Sequence, residues 1–146
     1  MPEKTINHSA FYWILEIRHL SFIMYLLFDL STKDTIHLAV FDKNAIEHKN
    51  YSGRNRELLS CIHNLSKIKN LSGIMVVVGA GGFTSTRVAC VVANTFAYVL
   101  KIPLLAITAA EASDPQKLIP KLLKQKSGNY ISAAYSGEAN IGRKKV

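Results

Sequence analysis

The sequence contains little of what disulfide-based, metal-based or membrane architectures require. It has two cysteines in 146 residues, Cys61 and Cys90, and they show no zinc-ligand spacing. Both fall in segments with a helical pattern, so we interpret them as buried thiols of a reducing, cytoplasmic compartment and predict no disulfide framework. The longest N-terminal stretch without an ionisable side chain, residues 20–28, is too short to span a membrane, and residues 1–23 do not resemble a secretory signal.

Catalytic and metal-binding patterns are also lacking. The chain has no His-x-x-x-His, no paired acid and base, and no nucleophile with a base at a recognisable spacing, which argues against an enzyme. His37 and His48 are expected on neighbouring strands, but a lone pair of strand histidines is usually a surface feature. The sequence therefore predicts no metal site.

Acidic residues are scarce, and the resulting positive charge is concentrated at one end. The chain has 18 Lys and Arg against 10 Asp and Glu, a net charge of +8. From residue 115 onward the basic residues outnumber Glu138 by seven to one: Lys117, Lys121, Lys124, Lys126, Arg143, Lys144 and Lys145. This end is interpreted either as a solvated face and tail or as a surface that binds tRNA electrostatically.

What the sequence does contain is enough apolar material, 49% of residues, for one domain with a real core. We predict three segments. Residues 1–23 form an N-terminal extension that is not native if Met24 is the natural start, which is our hypothesis. Residues 24–127 form the folded lobe, and residues 128–146 form a last strand and a basic tail.

The most informative stretch is an apolar run at 74–78 followed by a Gly-rich loop and a helix. A buried strand leading through glycines into a helix is where parallel sheets place ligands, because the first helical N–H groups favour an anion. The glycine spacing excludes a dinucleotide-binding fingerprint and a Walker motif. The loop is therefore either an ordinary glycine-containing turn or a phosphate-binding loop. The candidate loop residues are Gly79, Gly81, Gly82, Thr84 and Arg87.

The helix that follows, residues 88–100, is apolar nearly all the way round and must therefore be covered on every side. Ser85, Ala89, Ala93 and Ala97 recur every four residues and form a ridge of small side chains. Such a ridge permits a close approach, either within an ordinary core or to a helix of another protein.

The order of the predicted elements defines the fold class. Strands are expected at 25–30, 35–41 and 45–51, then a helix at 54–68, strands at 74–78 and 103–107, and a last strand at 130–135. Thr108 and Glu111 have the spacing of a capping box, and Pro115 and Pro120 limit the final helix to a short or kinked one. We predict an α/β fold: a single actin-like (ribonuclease H-like) ATPase-type lobe with a mixed five- or six-stranded sheet flanked by helices.

Two motifs in this order resemble the TsaB family, also called YeaZ. The first strand ends in Asp29-Leu30-Ser31-Thr32, similar to the family's Asp-Thr-Ser-Thr. The loop Gly79-Ala80-Gly81-Gly82-Phe83-Thr84-Ser85-Thr86-Arg87 is similar to the family's Gly-Pro-Gly-Ser-Phe-Thr-Gly-x-Arg, with Ala80, Gly82 and Ser85 as departures. Family members continue into a second lobe, so the resemblance implies a shortened member.

The resemblance implies a non-catalytic scaffold in threonylcarbamoyladenosine synthesis on tRNA. Such proteins pair with the catalytic subunit TsaD through the helices that here span 54–68 and 84–100, in a system with the ATPase TsaE. The implied contact residues are Leu58, Leu59, Ile62, Ser85, Ala89, Ala93 and Ala97, and a homodimer would use the same helices. The chain alone would bind no cofactor, with ATP or ADP placed at the partner interface, and it would meet tRNA indirectly and no membrane. The alternative is an actin-like phosphotransferase acting as a dimer, with Asp29 holding Mg²⁺.

Overall fold

The computed structural model describes residues 23–65 and 70–133, which form a central mixed sheet with helices on both faces. The strands are β1 (Met24–Asp29), β2 (Thr35–Phe41), β3 (Ile46–Ser52), β4 (Leu71–Val77) and β5 (Leu104–Ile107). Their spatial order is β3-β2-β1-β4-β5. The pairs β1–β2 and β2–β3 are antiparallel, whereas β1–β4 and β4–β5 are parallel. The predicted mixed α/β sheet is confirmed; the predicted N-terminal extension, except Ile23, and most of the tail lie outside the described residues.

Strands β1 and β4 are buried on both faces, so a core layer lies on each side of the sheet. Leu26 and Phe28 of β1 belong to one layer, while Tyr25 and Leu27 belong to the other. Successive side chains of a strand point to opposite faces, so a continuous apolar run is what such a strand requires. Burial raises the pKa of the Tyr25 hydroxyl, which stays protonated beside the ring of Phe41.

The described residues contain three α-helices. They are α1 (Leu58–His63), α2 (Phe83–Leu100) and α3 (Ile119–Leu123). Residues of α1 and α2 complete one core layer and residues of α3 the other. By length and hydropathy alone α2 could cross a membrane, yet its small side chains pack against the sheet within this chain, as in a core helix.

The helix predicted over 54–68 is shorter than expected. A 3₁₀ turn at Asn55–Glu57 leads into α1, and α1 ends at His63. At its end the N–H of Leu65 bonds to the carbonyl of Ile62 at 3.0 Å, the tight 3₁₀ pattern that closes many helices. Apolar periodicity identifies the buried face of a helix, but it does not mark the residue where the helix stops. Residues 66–69 lie outside the described part.

The segment predicted as a last strand is not paired with the sheet over its described residues, 130–133. It lies instead along α2, where the Asn94 amide makes two hydrogen bonds with the backbone of Ile131. Asn94 Nδ2 donates to the Ile131 carbonyl and Asn94 Oδ1 accepts from the Ile131 N–H, each at 3.0 Å. The side chain thus supplies the donor and acceptor that a neighbouring strand would supply.

Replacing Asn94 with alanine is expected to release this segment from α2. The two lost hydrogen bonds are worth about 1–2 kcal/mol together, and the effect is local because the rest of the core is untouched. Hydrogen exchange of the Ile131 amide should become fast in Asn94→Ala. Asn94→Asp, which retains only an acceptor, should be intermediate, and unchanged protection in Asn94→Ala would contradict this account.

The predicted capping box is confirmed just after β5. The Thr108 N–H donates to Glu111 Oε1 at 3.0 Å, and the Glu111 N–H donates to Thr108 Oγ1 at 3.2 Å. The two groups therefore satisfy each other's backbone donors at the start of the 3₁₀ turn Glu111–Ser113. The bond from the Thr108 backbone, followed by the one to its side chain, lowers the pKa of Glu111.

Acidification is therefore expected to remove a small part of the stability. A carboxyl whose pKa is lower in the folded chain stabilises it above the unfolded-state pKa, and this contribution disappears as the pH falls through the folded-state pKa. In Glu111→Gln the pH dependence of stability should flatten in that acidic window. Urea titrations at several acidic pH values measure this, and an unchanged profile would contradict the assignment.

Candidate functional site

The loop between β4 and α2 is shaped by two glycines in the left-handed region. Gly79 has φ 79° and Gly81 has φ 87°. A Cβ atom on Gly81 would lie 2.7 Å from the Cα of Ser31, so this backbone lies directly against the β1–β2 turn. The hydroxyl of Thr86 donates to the Gly82 carbonyl at 2.9 Å and helps to fix the start of α2. Glycine permits both the positive φ and the close backbone approach, and the nearest neighbour is the chain's own turn.

The β1–β2 turn forms the opposite wall of a cleft. Asp29 Oδ1 accepts hydrogen bonds from the Ser31 N–H at 3.0 Å and from the Ser31 hydroxyl at 2.5 Å, an arrangement that orders the turn. The cleft has a volume of about 550 Å³. Its walls are residues 30–36, residues 53–55 and the loop residues Gly81, Gly82 and Ser85.

The cleft combines two cationic side chains with the N-terminal end of a long helix. Lys33 and Arg54 line it, opposed by the carboxylate of Asp34. The N-terminus of α2 adds the partial positive charge of its unpaired N–H groups. Lys33 was missed by sequence reasoning, although its position directly after the Asp-x-Ser-Thr motif was a usable signal.

The structure separates the residues of the predicted phosphate loop. Gly81 and Gly82 line the cleft, whereas Thr84 and Arg87 line a second groove along a neighbouring face of α2. The Arg87 guanidinium lies 5.6 Å from the centroid of the Phe83 ring. This division follows from helix geometry. Successive residues are rotated by about 100° about the helix axis, so the side chains of one turn cannot all point to the same cleft.

The second groove belongs to an exposed apolar stripe, which we call the outer face of α2. It consists of Thr84, Arg87, Val88, Val91, Val92, Thr95, Tyr98 and Val99, of which Val88 and Val92 are half-buried against the core. Val91, Tyr98 and Val99 are 63%, 67% and 66% exposed. The Thr95 hydroxyl is bonded to the Val91 carbonyl at 2.8 Å, so it offers little polarity. Beside Val91 the groove has a volume of about 310 Å³. Contiguous exposed apolar side chains are a common feature of protein interaction surfaces.

Most residues predicted to contact a partner are covered within the chain, which corrects the predicted surface. Leu58, Ile62, Ala89, Ala93 and Ala97 are all at most 4% exposed. The small-residue ridge faces the sheet, and its short side chains allow α2 to pack closely on β4. Of the remaining two, Ser85 lines the cleft, and Leu59 is 58% exposed and available to a partner.

The described residues offer no arrangement suited to nucleophilic catalysis. Ser31 donates its hydroxyl proton to Asp29, and His37 Nδ1 lies 3.7 Å from the other Asp29 oxygen. In a catalytic triad the serine donates its proton to an imidazole, whereas here Ser31 donates to the carboxylate. The three side chains are therefore not arranged as a triad. Burial raises the pKa of both thiols, that of Cys61 also through Glu57, and keeps them protonated. Their predicted burial is confirmed.

The described residues have the actin-like, ribonuclease H-like fold, as predicted. Solved structures with this fold include YeaZ from Pseudomonas aeruginosa, with a TM-score of 0.54 and 21% sequence identity. The alignment covers 64% of this chain and 49% of that one. No family model matches the sequence, and no curated protein does.

A second structure with this fold is described as an uncharacterized protein with similarity to peptidase YEAZ from Pseudomonas aeruginosa. It has a TM-score of 0.52 and 22% identity, and the alignment covers 58% of this chain and 43% of that one. This chain therefore spans less than half the length of both YeaZ-type structures. At these identities the similarity establishes the shared fold.

Proposed function

We propose that this chain is a TsaB-type, non-catalytic subunit that docks through the outer face of α2 on a TsaD-like catalytic protein. The single observation that carries the proposal is this apolar, exposed face on a lobe with the YeaZ fold. The proposed partnership comes from the two sequence motifs that resemble the TsaB family. The Ser31 hydroxyl donates to Asp29 rather than to an imidazole, and the buried thiols stay protonated. Both observations support a subunit without chemistry of its own.

Mixing the chain with the TsaD-like protein of the same genome tests the proposal. Size-exclusion chromatography with light scattering should show a mixed complex. Val91→Glu places a charge at the centre of the outer face, where burial against an apolar partner would leave it unpaired. We expect binding to weaken by about 30-fold or more, roughly 2 kcal/mol.

Leu123→Glu is the matched control. Leu123 is also an exposed apolar side chain, at 53%, but it lies on α3 at the opposite face of the sheet. Leu123→Glu should bind as the unmodified chain does. A chain that ignores the TsaD-like protein would overturn the partnership, and equal binding by both variants would overturn the docking face. A homodimer abolished by Val91→Glu would identify the same face as a self-association surface.

The cleft supports a second candidate function, binding of a nucleotide phosphate. Lys33, Arg54 and the N-terminus of α2 converge on it, and Thr32 of the β1–β2 turn also lines it. Because Ser85 lines the cleft while Thr84 lines the groove on the outer face, a partner seated on α2 would also border the cleft. We therefore propose that ATP or ADP binds at the edge of the docking surface.

Equilibrium dialysis with Mg²⁺ and ATP tests this second candidate, with and without the partner. The double variant Lys33→Glu, Arg54→Glu reverses both charges and should reduce binding by about tenfold or more. Lys124→Glu, outside the cleft, is the charge-matched control. Equal ATP binding by the double variant and the control would exclude the cleft.

A further inference from the structure

A row of polar side chains crosses three adjacent strands on the sheet face that carries α3. Asp29 in β1 is opposite His37 in β2, and His48 in β3 is opposite Ala39, one diagonal step from His37. Residues paired across antiparallel strands point to the same side, so the three polar side chains share one face. β3 is the outermost strand on that side of the described sheet, and His48 is exposed to solvent.

The two imidazole rings are already held together. His37 Nε2 lies 2.9 Å from His48 Nδ1, with the ring centroids 5.1 Å apart and the planes at 14°. His37 Nδ1 faces Asp29 Oδ2 at 3.7 Å. Two nitrogens bound to one tetrahedral zinc ion at 2.0–2.1 Å are about 3.3 Å apart, so a small rotation of the rings would admit the ion.

We propose that His37 and His48 bind a first-row transition-metal cation, such as Zn²⁺, between these two nitrogens. Imidazole nitrogen is a preferred ligand for zinc, copper and nickel. A carboxylate behind a ligating histidine is the usual partner that orients it, and Asp29 holds that position for His37 as a positioning residue. Two tetrahedral positions stay open to water or to a ligand from another molecule.

The protons balance without any other reactant. His37 keeps its proton on Nδ1, towards Asp29, and binds the metal through Nε2. His48 binds through Nδ1 and carries its proton on Nε2, which faces away from the shared position. Without the ion, the proton between the rings is on His48 Nδ1, which donates to His37 Nε2. When the ion binds between these nitrogens, that proton passes through solvent to His48 Nε2, so both imidazoles stay neutral and no net proton is released. The sequence placed the histidines on neighbouring strands but did not show that their nitrogens meet.

Titration of the untagged full-length chain with zinc chloride tests the site by isothermal calorimetry. One ion should bind per chain, and ¹⁵N spectra of the imidazoles should show shifts for His37 Nε2 and His48 Nδ1. His37→Gln and His48→Gln, which keep a polar side chain, should each weaken binding about tenfold or more. His63→Gln is the matched control, because His63 is exposed on α1 and lies away from the row.

The double variant His8→Gln, His19→Gln controls for the histidines of the N-terminal segment and should bind as the unmodified chain does. Absence of zinc binding, or binding that survives in His48→Gln, would overturn the proposal and leave the pair as a hydrogen-bonded stack. Circular dichroism checks that the variants fold. If they do not, the ¹⁵N shifts of the unmodified chain decide the question.

Discussion

Replacing Ala93 with leucine is expected to lower the free energy of unfolding by about 3 kcal/mol. Ala93 is fully buried in the middle of α2, in the core layer that this helix forms with the sheet. The added carbon atoms have no space in a close-packed interior, so α2 must move outward or its neighbours must adopt strained rotamers. Urea denaturation followed by circular dichroism measures the loss.

Val91→Leu is the control for this prediction, since Val91 lies on the same helix but is largely exposed. It should change stability by no more than about 0.5 kcal/mol. An Ala93→Leu chain as stable as the unmodified one would show that the ridge is not packed on the sheet. If Ala93 instead contacted a partner, as the resemblance to the TsaB family implies, a large residue there would break a complex and spare the fold.

Gly81→Ala is expected to destabilise the chain by about 3 kcal/mol or more. Its φ of 87° is strained for any residue with a Cβ, and that atom would lie 2.7 Å from the Ser31 Cα and 3.0 Å from the Leu30 carbonyl oxygen. Both contacts are with backbone, which cannot turn aside as a side chain does. The loop must therefore move away from the β1–β2 turn, and the cleft between them changes shape.

The control is Gly82→Ala, one residue further along the same loop. Gly82 has φ −75°, and the nearest atom to an added Cβ there is the Ser85 hydroxyl oxygen at 3.8 Å. Alanine fits this conformation, so stability should change by less than about 1 kcal/mol. Thermal unfolding of the two variants side by side gives the comparison. Equal stabilities would contradict the close approach of the loop to the turn.

The cleft and the outer face of α2 are adjacent, because α2 begins at the edge of the cleft and the outer face lies along the same helix. Its first turn borders the cleft through Ser85 and the outer face through Thr84. A partner that covers the outer face would therefore reduce solvent access to the cleft, and ligand and partner would influence each other's affinity. ATP binding measured with and without the TsaD-like protein reports that coupling.

The sequence by itself determined the order of the elements and most of the local chemistry. Four apolar segments and the more polar segment 45–51 predicted the five observed strands, whereas the sixth predicted strand, 130–135, is not paired with the sheet over its described residues. The Thr108–Glu111 capping box was correct because a cap is a contact between residues three positions apart. The positive φ of Gly79 and Gly81 is also a local property, since backbone conformation in a tight turn depends on the residues of that turn.

Only the tertiary structure decided which side of α2 faces outward. The helix is apolar nearly all round, so its periodicity did not distinguish the alanine ridge from the stripe through Val91 and Tyr98. Packing on β4 favours the smaller side chains because they allow the closer approach. Val91, Tyr98 and Val99 are left exposed, while other large apolar side chains of the helix are half-buried against the core. The contact between Asn94 and Ile131 and the meeting of His37 with His48 are also long-range, so local sequence patterns did not predict them.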